Sequence, residues 1–364
     1  MNVCALVTPE EFKRYIDFAA EVYRQNPYWI PADHHHMVSL LGGQKEAGPH
    51  WHAQPFWVES ENSIQGTLTA VVDELYNQHW NERTGHLLFF EARPGSQPAV
   101  TALFEKACDW LRNQGCNAAR TSFLYAWQLP WTIDAYDVVP TIFHTYNPPY
   151  YHSYVKNCGF ATEKGMVEYR VTFTPELAAR YREMVRRVEA AGVRLRPWNL
   201  DSLEDEGRVF AELVNETFAT HWGSPQFSIP QMQGFATAMR DVFVPGSVAF
   251  AEVDGQAVGF VFSLPDLNQA FNRLGGQPQG EGNFERSLRE IDHGVLLIIG
   301  VKKNFRGRGI NLGLAAKCYL AMIDRGFKSA SYTIVLDDNW PSRRTAEKLG
   351  CCVDRNFVMY RKDL

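Results

Sequence analysis

The sequence predicts an α/β (α+β) fold built twice in tandem. Three observations predict it. Strand-like runs alternate with amphipathic helices along the chain. The order of elements in the first half returns in the second. The length, 364 residues with 45% hydrophobic and 21% charged, is ordinary for a well-cored globular protein and suggests two domains rather than one.

The repeat can be followed element by element. Strand-like residues 55–59 and 65–72 lead to Asn77 and Gln78. In the second half, 248–253 and 258–264 lead to Asn268 and Gln269. The run 86–91, opening on His86, is echoed by 293–299, opening on His293. Amphipathic helices follow at 99–113 and 309–325, each stopped by a glycine, Gly115 and Gly326. Strands come next, at 118–124 and 329–336. Asn147-Pro-Pro-Tyr, ending in Lys156-Asn-Cys-Gly159-Phe, parallels Asn339-Trp-Pro-Ser, ending in Lys348-Leu-Gly350-Cys. A last strand is expected to close each half, at 167–173 and 353–360. The expected division is a first domain over 1–174, a charged linker helix over 175–192 ending near Gly192, and a second domain over 193–364.

Composition excludes several classes. A net charge of -5 and a pI near 6.1 argue against a general nucleic-acid or membrane-surface binder. No run is long enough to read as a transmembrane helix, and the N-terminus lacks the pattern of a secretory signal. The seven cysteines are odd in number and show no C-x-x-C. They predict a reduced, cytoplasmic protein without disulfides.

The chemistry is concentrated late in the chain. The apolar run 294–301 ends in Lys302-Lys-Asn-Phe-Arg306-Gly307-Arg308-Gly309, which opens directly into a helix. Such a turn aims several backbone N–H groups at one point, with the helix dipole behind them. Four of the seven residues 302–308 are Lys or Arg, so positive charge gathers where a phosphate would sit. A P-loop pattern is absent. Gly307-x-Gly309-x-x-x-Gly313, with Asp337 ending the next strand, is a loose dinucleotide fingerprint. That device opens its sheet, however, and too little chain follows Asp337 to complete one.

With these residues the chain resembles the Gcn5-related N-acetyltransferase (GNAT) superfamily. Its hallmark is Q/R-x-x-G-x-G/A after the fourth strand. Arg306-Gly-Arg-Gly309-Ile310 matches all but the last place, which is Asn311. Ile299-Gly-Val301 is similar to the family's strand end, and Asn339 with Lys348-Leu349-Gly350 to its later helix. The match is close over 193–361. The first half resembles the family in layout, so the whole is similar to tandem two-domain members.

The resemblance implies two domains, each a mixed, mostly antiparallel sheet flanked by helices. It implies an N-acyltransferase using acetyl-CoA or another acyl-CoA, with direct attack by the amine in a ternary complex. The expected cofactor-binding residues are Ile299, Val301, Arg306, Gly307, Arg308, Gly309, Ile310, Asn311, Asn339, Ser342 and Arg343. Lys302, Lys303 and Arg344 could add charge. Counting from Asn339, the family's tyrosine acid falls on Ala346, so water, Ser342 or another tyrosine (Tyr319, Tyr332) would have to protonate the leaving thiolate, or it leaves unassisted. Candidates for acid or base are Glu252, Asp266, His293, Ser342 and Tyr332, with Tyr319, Asp292, Asp337 and Asp338 behind them. Trp222 and Phe227, with Trp198, are expected in the first helices of the second half, where the family builds its acceptor pocket. Asn268 is a further candidate for contact with the acceptor.

In the first half the place of the glycine turn holds Ala92-Arg-Pro-Gly-Ser-Gln-Pro98. Its prolines remove donors, so that half is expected to bind no CoA and to shape the acceptor cleft. Two excursions break the symmetry, 125–146 with Trp127, Trp131, Tyr136 and Phe143, and 273–285 with Gly275, Gly276, Gly280 and Gly282. Each can border a substrate site or be a plain surface loop. His34, His35, His36, His50 and His52 cluster early, but no ligand pattern completes a metal site, and none is expected. The expected partner is a small-molecule or peptide amine, with no nucleic acid and no membrane, and the protein a monomer or homodimer. Two rival readings remain: a non-catalytic acyl-CoA sensor, and an aminoacyl-tRNA-dependent ligase of related doubled fold.

Overall fold

A computed structural model describes residues 1–32, 34–42, 48, 50–123, 130–275 and 281–364, with backbone alone at 34–36, 39, 281 and 282. The expected positions Trp127, Gly276 and Gly280 lie outside the described residues, as do the side chains of His34, His35 and His36.

In chain order the first elements are β1 (Asn2–Ala5), α1 (Pro9–Val22), α2 (His34–Leu41), β2 (Trp51–Ser60), β3 (Ser63–Asp73), α3 (Glu74–Trp80), β4 (Thr84–Ala92), α4 (Gln97–Asn113), β5 (Ala118–Arg120), β6 (Trp131–Thr132), α5 (Tyr150–Asn157) and β7 (Ala161–Thr172). There follow α6 (Pro175–Ala190), β8 (Arg194–Pro197), α7 (Leu203–Phe218), α8 (Ile229–Ala238), β9 (Ala249–Val253), β10 (Gln256–Pro265), α9 (Leu267–Arg273), α10 (Glu281–Arg289), β11 (His293–Val301), α11 (Ile310–Asp324), β12 (Ser329–Leu336), α12 (Trp340–Lys348) and β13 (Cys352–Asp363). The chain divides into two units. One is Met1–Gly165 with Phe357–Leu364, and the other is Met166–Asn356.

Among the described residues, each unit has a mixed sheet with one parallel pairing. In the first unit β1, β2, β3 and β4 pair antiparallel in sequence, and β4 pairs parallel with β5. In the second, β8, β9, β10 and β11 pair antiparallel, and β11 pairs parallel with β12. The sequence expectation that each half is closed by its own last strand does not hold. Residues 166–172 of β7 pair with β12 in the second unit. Phe357–Asp363 of β13 pairs with β5 and β6 in the first. Alternation of apolar and polar residues identifies a strand but not its partner, so own and exchanged closures read alike in sequence.

Each sheet carries a long helix bedded on its strands. In the first unit α4 buries Val100, Leu103, Phe104 and Leu111 against Phe56, Leu68 and Leu87. In the second, α11 buries Leu314, Cys318, Tyr319 and Met322 and packs on β10, β11 and α6. A glycine permits the close approach each time. A Cβ at Gly85 would stand 2.2 Å from Leu111, and one at Gly294 2.4 Å from Met322.

The strand under each helix is bent in the same way. The β3–β4 register shifts between Thr67 and Thr69, and the β10–β11 register between Phe262 and Ser263. The extra residue falls on β4, where Phe89 has φ 55, and on β11. A bulge of this kind turns the strand away from its neighbour.

Candidate functional site

The parallel pairing of β11 with β12 runs from His293↔Ser329 to Leu296↔Tyr332 and then stops. β11 continues to Val301, held on its other side by β10 through Gly259↔Val301. The two strands therefore part just where the bulge lies. The backbone of residues 297–301 is left with one edge unpaired by strand.

Beyond Val301 the chain makes a short 3-10 turn, Lys303–Phe305, and enters α11 through two glycines with positive φ, Gly307 (81) and Gly309 (77). These values favour glycine and would strain other residues. Elsewhere Thr8, Asp73, Thr174, Ser228 and Asn339 cap their helices with a side-chain oxygen. Gly309 caps α11 with none. Among the described residues, nothing accepts a hydrogen bond from the backbone N–H groups of residues 307–312, and the helix ladder resumes at Gly313. Such a run of unsatisfied donors at a helix start is a seat for an anion.

Side chains hold this turn open. The Arg306 guanidinium donates to Val301 O at 2.9 Å and Thr217 O at 3.3 Å. Arg306 therefore braces the turn. Arg308 lies over the Phe305 ring at 5.1 Å, and Lys302 pairs with Glu216 at 2.9 Å. Asn311 Nδ2 donates to Thr345 Oγ1 at 2.8 Å, tying the first turn of α11 to α12. This accounts for the residue that departs from the family hallmark: its amide serves a helix–helix bond.

Beside the parting of the strands, Tyr332 of β12 and Ser342 of α12 meet. Their hydroxyls are 3.0 Å apart. Burial pushes the Tyr332 phenol up to about 12, so it stays protonated at neutral pH. Asn339 Oδ1 accepts from Ser342 N at 3.3 Å and fixes the start of α12. Arg343 donates to Tyr169 Oη at 2.9 Å and to Asp337 O at 2.8 Å. Ala346 is fully buried.

The other candidates are engaged elsewhere. Glu252 accepts from Arg196 at 2.6 Å and from Arg194 at 3.4 Å. Asp266 caps α9, accepting from Asn268 N at 3.3 Å. His293 is buried, with Nδ1 2.8 Å from Ser329 Oγ and Nε2 3.0 Å from Ser331 Oγ. Ser331 donates to Glu168 Oε1 at 2.9 Å, so it accepts from His293, and the imidazole proton sits on Nε2. Burial lowers the His293 pKa to about 4. Both nitrogens are occupied, and neither is available to an incoming amine. Asp292 pairs with Lys328 at 3.0 Å, and Tyr319 lies sealed in the core.

Trp222 and Phe227 are not on helices, as the sequence suggested, but in the connection between α7 and α8. Asn215 clasps this connection through both backbone groups of Phe227, at 3.0 and 2.8 Å. Gly223 and Pro225 around them break helical continuation. Trp198 follows β8 and is core, ringed by Phe210, Phe243, Phe250 and Phe262.

The corresponding place in the first unit is occupied by its own tyrosines. β4 and β5 pair only from Thr84↔Ala118 to His86↔Arg120, so the strands part there too. Tyr151 Oη accepts from Ala92 N at 2.8 Å and donates to Glu91 Oε2 at 2.7 Å. Tyr154 Oη accepts from Ser96 N, the residue before α4, at 2.9 Å, and donates to Arg93 O at 2.9 Å. Tyr154 stands seven residues after Asn147. Ala346 stands at the same count from Asn339.

The profile of the Acetyltransferase (GNAT) family matches residues 210–351, which spans the α11 turn and α12. A protein named bacterial ceramide synthase, from Caulobacter vibrioides (strain NA1000 / CB15N), is 25% identical over 377 aligned positions, covering 100% of this chain and 98% of that one. Protein YghO of Escherichia coli (strain K12) is 22% identical over 379 positions, covering 100% and 95%. Among solved structures, a tandem GNAT protein from the clavulanic acid biosynthesis pathway superposes with a TM-score of 0.59 at 13% identity, covering 100% of this chain and 98% of that chain. At that identity the likeness shows the doubled fold alone.

Proposed function

We propose that this chain, whose residues 210–351 match the GNAT family and whose doubled fold is that of a tandem GNAT protein, is an N-acyltransferase that carries an acyl group from acyl-CoA to an amine, with one donor site at the start of α11. One observation carries the reading: the backbone N–H groups of residues 307–312 have no acceptor among the described residues.

The residues present fit such a donor. The N–H groups at the helix start would hold a pyrophosphate, with Arg308, Lys303 and Arg344 adding positive charge. The free edge of residues 297–301, with Ile299 and Val301, offers backbone partners to an extended, amide-bearing arm. A bound acyl thioester supplies an activated carbonyl and a thiolate leaving group. The chain's part is to fix that carbonyl, exclude water and keep a proton at hand. The Tyr332–Ser342 pair sits at the parting of the strands and holds a proton on a hydroxyl suited to a departing sulfur. Trp222, Phe227 and Asn268 are proposed to line the acceptor.

The acceptor we propose is a long-chain amino alcohol. A ceramide is an amide of such an amine, and the relative of that name aligns along the whole chain. The test is thiol release from acetyl-, octanoyl- and palmitoyl-CoA in the presence of a long-chain amino alcohol, spermidine or an amino acid. Release with the first amine and amide formation support the reading. Acyl-CoA binding without release for any amine overturns catalysis, and absence of binding overturns the donor site as well. In Tyr332→Phe combined with Ser342→Ala, kcat should fall about 100-fold or more, as expected of a lost proton donor, with donor KM unchanged.

One observation favours the sensor reading: Ala346 occupies the place of the family's tyrosine and is buried. In that case donor binding would persist and the double variant would change no rate.

A further inference from the structure

The donor site leaves unused a carboxylate in the other unit. Glu91 lies on β4 beside the bulge and is half-buried. Its Oε2 accepts from Tyr151 Oη at 2.7 Å. The Tyr23 hydroxyl also bonds it, and the Tyr15 and Tyr150 phenols, which donate to Phe89 O and Ala92 O, feel its charge. No described Lys, Arg or His pairs with it. Arg93, two residues on, turns instead to Glu21 at 2.5 Å and to Ile64 O at 2.9 Å. Burial raises the carboxyl to about 7. A shielded carboxylate with no countercharge is costly to keep ionised.

The surroundings are aromatic. Trp29 stacks on Tyr23 at 5.1 Å, and Tyr146 meets Tyr23 edge-on at 5.6 Å. Tyr150 meets Tyr151 edge-on at 5.1 Å. Trp29, Tyr146 and Tyr150 are only half-buried, so the cluster reaches the surface.

We propose that the first unit binds a primary alkylammonium group, with Glu91 as counterion and the tyrosine and tryptophan rings receiving the charge and the alkyl chain. An ammonium brings the missing positive charge and three N–H donors to a carboxylate already oriented by phenols. Aromatic faces attract a cation, most strongly where water is excluded, and their area accepts methylene groups. The first unit thereby has a ligand of its own. The inference does not depend on acyl transfer, since its readout is binding in the absence of any donor.

The experiment is calorimetric titration of the full chain with octylammonium, with octanol as a neutral control. At pH 8 a saturable binding event is expected, and octanol should bind at least tenfold more weakly. Glu91→Gln should weaken octylammonium binding at least tenfold, and Glu91→Asp should retain most of it. Binding of acyl-CoA should be unchanged in both. Between pH 8 and pH 6 the amine stays protonated while Glu91 takes up a proton, so affinity should fall several-fold in the wild type and not in Glu91→Gln. Equal binding by wild type and Glu91→Gln, or by octanol and octylammonium, overturns the proposal, as does absence of amine binding at pH 8.

Discussion

The starts of α4 and α11 are the same place built twice, and they present opposite surfaces. Both follow a bulged strand that pairs in parallel for only a few residues and then leaves its neighbour. Both helices sit close on their sheet through a glycine, Gly85 or Gly294. At α11, two left-handed glycines turn the backbone N–H groups of residues 307–312 outward with no acceptor among the described residues. At α4 the connection is shorter, Pro94 and Pro98 remove donors, and Tyr151 and Tyr154 satisfy Ala92 N and Ser96 N from within. A parted strand pair is thus not enough to make an anion seat. What decides is whether the donors at the helix start have already been answered by the protein.

Replacing Gly309 by valine attacks the comparison where it is sharpest. A β-branched side chain at φ 77, its Cβ 3.8 Å from Val188 of α6, strains the backbone by about 1–2 kcal/mol and disturbs the turn that presents the donors. Acyl-CoA affinity should fall about a thousandfold, while circular dichroism still reports a folded chain. Retained affinity would place the donor elsewhere.

The next effect concerns something the two units share. His86 and His293 occupy matching positions early on β4 and β11, both buried, and burial lowers each from 6.5 to about 4. The folded state holds them neutral. The unfolded state binds more protons between these values, so stability falls as pH drops from 6.5 towards 4. Each site should cost about 3 kcal/mol once the pH is below the folded value. Urea unfolding across that range measures it, and His293→Asn should flatten the second unit's share. A stability independent of pH there would mean the imidazoles are not sealed.

Tyr154→Phe is a smaller change. It removes the shorter of two bonds from Ser96 N, which keeps Arg93 O at 3.4 Å, and the phenol's own bond to Arg93 O, a loss of about 1–2 kcal/mol. The first unit should melt earlier, yet gain no CoA binding, because Pro94 and Pro98 remain. A second binding event in this variant would show that the phenol alone closes the site. The least effect is expected of Asn311→Ala, which loses one bond to Thr345 worth about 1 kcal/mol and should shift the thermal midpoint while leaving acyl-CoA affinity nearly intact.

How much of this could be read from sequence depends on whether the signal was local. The glycine turn, the helix it opens and the repeated strands are local patterns, and they appear where the sequence placed them, save that the strand expected at 118–124 runs only over Ala118–Arg120. The exchange of the last strands was illegible, because pairing is settled by distant residues. Asn311 is a departure from the hallmark in sequence, and its partner Thr345 stands on another helix, beyond the reach of a local pattern. Trp222 and Phe227 were misplaced because an apolar stretch near a helix reads as its continuation, whereas Gly223 and Pro225 end it. His293 looked like a candidate base, yet Ser329 and Ser331 bond it from the neighbouring strand. Tyr151 and Tyr154 were legible in principle. The count from Asn147 points to Tyr154, but only the structure shows both hydroxyls turned onto the backbone that a cofactor would otherwise claim.

The most direct test of the account is the stoichiometry of acyl-CoA binding to the wild-type chain, measured by calorimetry with a non-hydrolysable acyl-CoA analogue. The contrast between α11 and α4 predicts one analogue per chain. Two per chain would contradict the tyrosine closure of the first unit, and none would contradict the anion seat of the second.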